Sequence, residues 1–240
     1  MKLGLIGKAI MNSSSPDLHV RLGQLTGIPT TYDLFDANEQ PIKSLAKQVD
    51  KVIAAGYRFM SGFRATLGER KPGRVLLMGT GGVGKAVAFG LGQLGASEVI
   101  LMDLDDAKSR QLAKELQQHG FTASTITAAQ LADTVPHCDG LVNCTPIGHE
   151  KSPGCPLPAE LVQAHHWIFD AVYVPAVTEF ISAAKQAGAA VVSGVSLFVY
   201  QGVDAFKLFC EDEAKRKAAD QQSTTLFAHY RRELLKETDE

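Results

Sequence analysis

The chain has 240 residues, 45% hydrophobic, 21% charged and 7% aromatic, proportions of an ordinary globular protein that exclude disordered, collagenous and disulfide-stapled classes. Its 24 Lys and Arg stand against 26 Asp and Glu, a net charge of −2, so no basic field exists to hold a nucleic-acid backbone and no nucleic-acid partner is expected. No apolar run approaches the roughly 18 residues of a membrane span, the apolar stretch before Lys8 is too short for a signal-peptide core, and four cysteines without CxxC spacing (Cys138, Cys144, Cys155, Cys210) fit a reduced, cytoplasmic setting.

Lys2 to Ile6 is a short apolar run ending at Gly7 and reads as a buried strand. A serine loop, Ser13-Ser14-Ser15, leads to Pro16-Asp17, a helix start with Pro first and an acid behind it. Ser15 is a good N-cap by chemistry alone. Leu18, Leu22 and Leu25 then share one helix face, and Gly27 and Pro29 end it. Thr31 to Phe35 reads as a second strand. Ile42, Leu45, Val49, Val52 and Ile53 mark a second amphipathic helix closed by Gly56. This order implies a βαβ unit with a parallel sheet. From Tyr57 to Gly73 the pattern is irregular, apart from a helical stretch around Phe63 to Leu67.

Regularity returns with a buried strand at Val75 to Met78, a helix from about Gly82 to Leu94, a strand at Val99 to Met102 and a helix over Ala107 to Gln118. Further strands are expected at Ala123 to Ile126, Gly140 to Cys144, Trp167 to Asp170 and Ala190 to Val192, the alternation of a doubly wound α/β sheet. From Glu211 the chain is charged and helical in pattern, with Glu211–Lys215, Asp212–Arg216 and Glu213–Lys217 at favourable i,i+4 spacing on a solvated face.

Between the first of these later strands and its helix lies Gly79-x-Gly81-x-x-Gly84, and Asp103 ends the next strand nineteen residues on. Strand, loop, helix, strand and acid in this order form a dinucleotide-binding fingerprint. Gly79 allows the tight turn, and Gly81 lets the backbone approach a pyrophosphate. Gly84 lets helix pack on strand, and Gly82 and Val83 belong to the same cofactor-contacting turn at a helix N-terminus. A carboxylate at Asp103 accepts hydrogen bonds from the ribose hydroxyls of NAD and repels the 2′-phosphate of NADP. No Arg follows it at Leu104, Asp105 or Asp106, so NAD is expected over NADP. His165 and His166 are adjacent and cannot share one face of a regular element, His19 reads as structural and His149 as exposed, so no metal site is expected.

The chain resembles the shikimate/quinate dehydrogenase family. The resemblance is carried by Ser13-Ser14-Ser15-Pro16-x-x-His19, the glycine loop, Asn143-Cys144-Thr145-Pro146-Ile147-Gly148, Asp170-Ala171-Val172-Tyr173-Val174-Pro175-x-x-Thr178 and Gln201-Gly202-Val203-Asp204-Ala205-Phe206, in order from Leu3 to about Phe209. Met102-Asp103-Leu104-Asp105, where the family has Asn-Arg-Thr, is similar to its NAD-using quinate/shikimate branch. The resemblance implies a Rossmann-type doubly wound sheet over about 71–195, with a shortened α/β substrate domain over 1–70 completed by helices of about 196–240. It implies an NAD-dependent oxidoreductase of aromatic amino acid biosynthesis, oxidising a ring hydroxyl of a shikimate- or quinate-like carboxylate, as a monomer or homodimer. Ser13 and Ser15 would hold the substrate carboxylate, and Tyr173 and Gln201 the ring hydroxyls. Asn143 and Thr145 would lie along the cofactor, with Gly194 near the nicotinamide.

One departure bears on catalysis. The family carries its catalytic Lys in an Asn-Val-Thr-x-Pro-x-Lys segment and an Asp in an Asn-Thr-Asp segment, and neither occurs here. Ala54 to Arg58 resembles the approach to the first, and Met60 to Leu67 the helix after the second, so several dozen residues are missing between Arg58 and Met60. No catalytic residue is assigned. The alternative function is a catalytically degenerate, cofactor-binding relative acting as a sensor or interaction protein.

Overall fold

Two parallel sheets organise the chain, whose computed structural model describes residues 2–7, 13–36, 59–64 and 66–235. Strand β1 (Lys2–Gly7) pairs in parallel with β2 (Thr31–Asp36), and helix α1 (Ser15–Thr26) crosses between them. The expected βαβ unit is present. The helix expected over Ile42 to Ile53 lies outside the described residues, as does Lys8. Helix α1 begins one residue earlier than its composition suggests. Ser14, not Ser15, is the N-cap, without a side-chain capping bond, and Gly27 at φ 67° closes the helix. Leu18 and Leu22 are buried as their spacing predicts, but Leu25 is 46% exposed, because the sheet beneath α1 is too narrow to cover its third leucine.

The second sheet has six strands, β3 (Arg74–Met78), β4 (Glu98–Met102), β5 (Ala123–Thr125), β6 (Gly140–Asn143), β7 (Trp167–Asp170) and β8 (Ala190–Ser193). Their spatial order is β5-β4-β3-β6-β7-β8 and every pair is parallel, the Rossmann order, with its switch point between β3 and β6. A short helix α2 (59–64) precedes the sheet, and α3 (Gly82–Gln93), α4 (Asp106–Gln118), the single turn α5 (Leu131–Thr134) and α6 (Glu179–Ala187) connect its strands. Helices α7 (Gly194–Phe209) and α8 (Glu213–Leu235) follow.

Alternate strand residues feed two separate cores, which is why these strands read as unbroken apolar runs. Val75, Leu77, Val99, Leu101 and Phe169 face α3, α4 and α2, while Leu76, Met78, Ile100, Leu141 and Ile168 face α6 and Leu131. The irregular stretch before Gly73 acquires its order here. Phe59 meets Phe169 edge-on at 4.9 Å, Phe63 meets Trp167 at 5.0 Å, and the Trp167 indole N–H donates to Pro72 O at 2.9 Å.

A third core joins the ends of the chain. Leu3, Leu18 and Leu22 pack with Val195, Val199, Val203 and Phe206 of α7 and with Ala219, Leu226 and Tyr230 of α8. Helix α8 therefore buries one stripe, although its charge pattern suggests only a solvated face. Lys207 links the two last helices through Asp220 at 2.6 Å. Helices α1 and α7 touch closely at Gly202, where a Cβ would come within 2.0 Å of Leu18 Cδ2. Because Leu18 is fully buried and cannot swing away, Gly202→Ala should cost about 1–3 kcal/mol of stability through overpacking. Urea unfolding measures this, and an unchanged midpoint would contradict the close approach.

Candidate functional site

The parallel registers align Met102, Met78, Asn143, Asp170 and Ser193 along one edge of the six-stranded sheet. Open α/β sheets present ligands beyond this carboxyl edge, at the switch point. Between β3 and α3 the chain turns through Gly79 at φ 88°, whose N–H donates to Met102 O at 2.8 Å. A Cβ on Gly79 would meet the Cys144–Thr145 backbone at 2.8 Å, and one on Gly84 would meet the Gly79 carbonyl oxygen at 1.8 Å. A Cβ on Gly81 or Gly82 meets nothing within 4 Å. Two of these glycines thus serve protein packing, while Gly81 and Gly82 face open space at the start of α3. Val83, in the first turn, is 42% exposed. Free N–H groups and the positive end of the helix make this a place for an anion such as a pyrophosphate.

Asp103 follows β4 and reaches back to this turn. Its Oδ2 accepts from Thr80 N–H and from the Thr80 hydroxyl, both at 2.7 Å, and its Oδ1 accepts from Asp105 N–H at 3.0 Å. Burial works against its charge, but the two Thr80 bonds, the Asp105 N–H and the nearby Lys108 outweigh it and keep the carboxyl below its ordinary range. The acid is charged and clamps the glycine turn, and part of Oδ1 is still open to a further donor. Thr80 occupies an unspecified position of the glycine motif, so nothing in the motif singles it out. Lys85 and Lys108, which line a cavity of about 370 Å³ beside Thr80, are answered by Glu115 at 2.6 Å and Asp105 at 3.8 Å.

Asn143 and Thr145 end β6 and border the same crevice. Asn143 is wholly buried and its amide is consumed internally. Nδ2 donates to Ile147 O and Asp170 Oδ1, both at 2.9 Å, and Oδ1 accepts from Thr145 N–H at 3.0 Å and the Thr145 hydroxyl at 2.7 Å. Thr145 Oγ1 in turn accepts from Ile147 N–H at 3.1 Å. Both side chains build the 143–148 loop from within.

Asp170 is the second buried polar centre. It accepts from Asn143, from Val172 N–H at 3.0 Å and from the Thr178 hydroxyl at 2.6 Å, while Thr178 caps α6 by accepting from Ile181 N–H at 3.1 Å. One carboxylate thereby ties the loop after β6, the loop after β7 and the start of α6. Burial pushes its carboxyl up to about 6, against three hydrogen bonds that favour the ionised form.

Tyr173 lies in the loop after β7, stacked on Phe198 with ring centroids 5.0 Å apart, and burial raises its pKa while the neighbouring Ser13 works the other way. Ser13 Oγ donates to Ser15 Oγ at 3.0 Å. The serine loop thus lies beside the loop after β7. Gly194 is the first residue of α7 and Gln201 lies midway along it. His19 is buried, with Nδ1 on Ser15 O at 2.8 Å. His165 and His166 lie in a loop, outside any helix or strand, with rings 4.0 Å apart and each Nε2 bonded to a backbone carbonyl. Among the described residues no group of His, Cys, Asp or Glu is placed to hold a metal ion, and no helix is long and apolar enough to cross a membrane.

Known proteins share these features. Residues 53–163 match the family model of the alanine dehydrogenase/PNT C-terminal domain. A shikimate dehydrogenase (NADP(+)) of Pseudarthrobacter chlorophenolicus is 33% identical over 260 residues, covering 86% of this chain and 88% of its own. This chain belongs to the shikimate/quinate dehydrogenase family. A quinate/shikimate dehydrogenase (NAD(+)) of Corynebacterium efficiens is 32% identical over 265 residues, covering 86% of this chain and 92% of its own. The fold is that of quinate dehydrogenase from Corynebacterium glutamicum, solved in complex with NAD, with a TM-score of 0.78 at 24% identity over 92% of this chain and 99% of that one. In the Pseudarthrobacter alignment, 86% of the 240 residues is about 206, so about 54 of the 260 aligned positions have no counterpart here. That matches the several dozen residues that the motif comparison finds missing.

The raised Asp170 carboxyl sets a pH dependence of stability. In the unfolded chain it titrates near its ordinary value, about 4, so between about pH 4 and 6 the native state holds a proton that the unfolded state has lost. Its contribution therefore falls as pH rises through that window, by about 2–3 kcal/mol in total. The difference in unfolding free energy between the unsubstituted chain and Asp170→Asn, followed from pH 4 to 8, should decline accordingly. A difference that is flat or rises would contradict it.

Proposed function

We propose that this chain binds NAD in preference to NADP and, beside it, a cyclic polyhydroxy carboxylate of the shikimate or quinate kind, whose ring hydroxyl it oxidises. The observation that carries this reading is the open crevice at Gly81 and Gly82, bordered by a charged Asp103, in a chain of the shikimate/quinate dehydrogenase family. Relatives named for NADP and for NAD are about equally similar, so the choice rests on local charge. A ribose 2′-phosphate would face Asp103, and Lys85 and Lys108 already have acidic partners. The pyrophosphate would rest on the N–H groups of the first turn of α3. Asn143 and Thr145 would serve the cofactor by shaping the loop beneath it.

Bound there, NAD would supply the hydride acceptor. Ser13 and Ser15 would hold the substrate carboxylate, the Ser13 proton turning to it from Ser15 Oγ. Tyr173 and Gln201 would orient the ring, and Gly194, at the start of α7, would leave room for the nicotinamide. Alcohol oxidation also needs an acceptor for the hydroxyl proton, and the segments that carry the family's Lys and Asp are absent. A positioned acid/base group contributes about 10²–10⁴-fold, so turnover should fall well below the usual ~1–10³ per second. This absence favours the second reading, a cofactor-binding relative that senses ligands or binds a partner without turnover.

Calorimetry should show tighter binding of NADH than of NADPH. Asp103→Ala should weaken NADH by roughly 10–150-fold, the equivalent of about 1.5–3 kcal/mol for hydrogen bonds to a charged group, and Gly81→Val should abolish binding. Equal affinity for the two cofactors would overturn the preference. Slow NAD-dependent oxidation of shikimate or quinate supports the first reading, and ligand binding with no NADH formed supports the second. Oxidation at ordinary family rates would refute the loss of the proton acceptor.

A further inference from the structure

Any residue other than proline between Gly79 and Gly81 brings a backbone N–H to the turn, but only serine or threonine brings an aliphatic hydroxyl as well. At Thr80 both groups reach the same oxygen, Asp103 Oδ2, each at 2.7 Å. We propose that Thr80 is a specificity-determining positioning residue, whose hydroxyl turns Asp103 Oδ1 toward the ribose 2′-hydroxyl of NAD and holds the negative charge where a 2′-phosphate would have to sit. The proposal rests on the NAD reading above and extends it to a position that the glycine motif leaves open.

A carboxylate offers about four acceptor positions, two on each oxygen. Thr80 fills both on Oδ2, and Asp105 N–H takes one on Oδ1 at 3.0 Å. One position remains, on Oδ1, and it suits the proton of a single ribose hydroxyl. The carboxylate is therefore oriented before a ligand arrives, so little rotational freedom is lost on binding. The clamp is itself fixed. Thr80 is buried, and its β-branched side chain has few χ1 choices. Gly79, at φ 88°, sets the turn that brings the Thr80 N–H to the acid.

Without the hydroxyl, Oδ2 regains a free position and the two oxygens become close to equivalent. Either one can then face the ribose, and the single directed acceptor is lost. NADPH has no 2′-hydroxyl to donate, so it gains nothing from the directed oxygen and loses nothing with it. The charge on Asp103 weakens too, since a donor to the ionised form favours that form. The other charged groups around the acid are already engaged. Lys108, which also favours the ionised carboxyl, lies 3.8 Å from Asp105, and Lys85, across the cavity beside Thr80, is paired with Glu115 at 2.6 Å.

Calorimetric titration of NADH and NADPH into the full chain tests this, with the unsubstituted protein, Thr80→Val, Thr80→Ser, Asp103→Ala and the Thr80→Val/Asp103→Ala double variant. Thr80→Val keeps the shape and the backbone N–H and removes only the hydroxyl. It should weaken NADH by about 3–10-fold and leave NADPH unaltered, so that the preference narrows. Thr80→Ser keeps the hydroxyl and should keep the preference. In the Asp103→Ala background Thr80→Val should have almost no effect, since the two residues act as one unit. On acidification, NADH binding should fall off at a higher pH in Thr80→Val than in the unsubstituted chain, because Asp103 accepts the ribose proton best when ionised. An unaltered preference or an unmoved acid limit in Thr80→Val would overturn the proposal, as would losses that simply add in the double variant. A Thr80→Val chain that fails to fold, or that loses both cofactors equally, gives Thr80 a structural role and overturns it as well. If the unsubstituted chain binds the two cofactors equally, the NAD reading itself fails, and the proposal with it; if that chain prefers NADH and Thr80→Val keeps the preference, the proposal alone fails.

Discussion

The close approach of a helix to a turn governs this molecule. At Gly84 the carbonyl oxygen of Gly79 occupies the place where any other residue would carry its Cβ, 1.8 Å from that position. Because α3 can begin so near the end of β3, its first turn stands directly over the crevice between β3 and β6, where the strand order reverses. The charged Asp103 then holds the turn shut through both the N–H and the hydroxyl of Thr80. The free N–H groups of α3, the open sides of Gly81 and Gly82, and the acid at the end of β4 all depend on this one contact.

A second constraint organises the other half of the carboxyl edge. Asp170 is a buried carboxylate without a cationic partner among its hydrogen-bond donors, which are an amide, a backbone N–H and a hydroxyl. An ionised acid in such a place costs stability unless its lone pairs are filled. Here they are filled from the end of the paired strand β6, from the loop after β7 and from the start of α6. The loop at Asn143 borders the crevice, and Val172 precedes the tyrosine that stacks on Phe198. Polar networks of this kind specify one arrangement of loops rather than add much to stability.

How much of this was legible depends on the range of the interaction. Elements whose cause is local were readable: the unbroken apolar runs of the central strands, the glycine turn with its acid nineteen residues on, and Gly27 closing α1. What depends on distant partners was not. Thr80 and Asp103 meet only because β3 and β4 pair in register, and Thr80 sits where the motif allows any residue. Asn143 belongs to the recognised motif, yet its amide points into the loop, since Asp170 from the next strand draws it inward. Leu25 has helical spacing but no sheet beneath it, and the charged α8 hides a stripe of Ala219, Leu226 and Tyr230 against α1 and α7.

The family frame and the missing positions together define what this chain is able to do. Its dinucleotide crevice is built from one uninterrupted stretch, whereas its substrate side is assembled from both ends of the chain around a two-stranded sheet. The central claim is that the turn at Gly79–Gly84 and the loop at Asn143–Gly148 together form a nicotinamide-dinucleotide site. Hydrogen exchange followed by mass spectrometry, with and without NADH, tests it most directly. The account predicts added protection confined to the amides of the first turn of α3, the segment after Asp103 and the 143–148 loop. Unchanged exchange in those three segments under saturating NADH, or protection centred elsewhere, would contradict it.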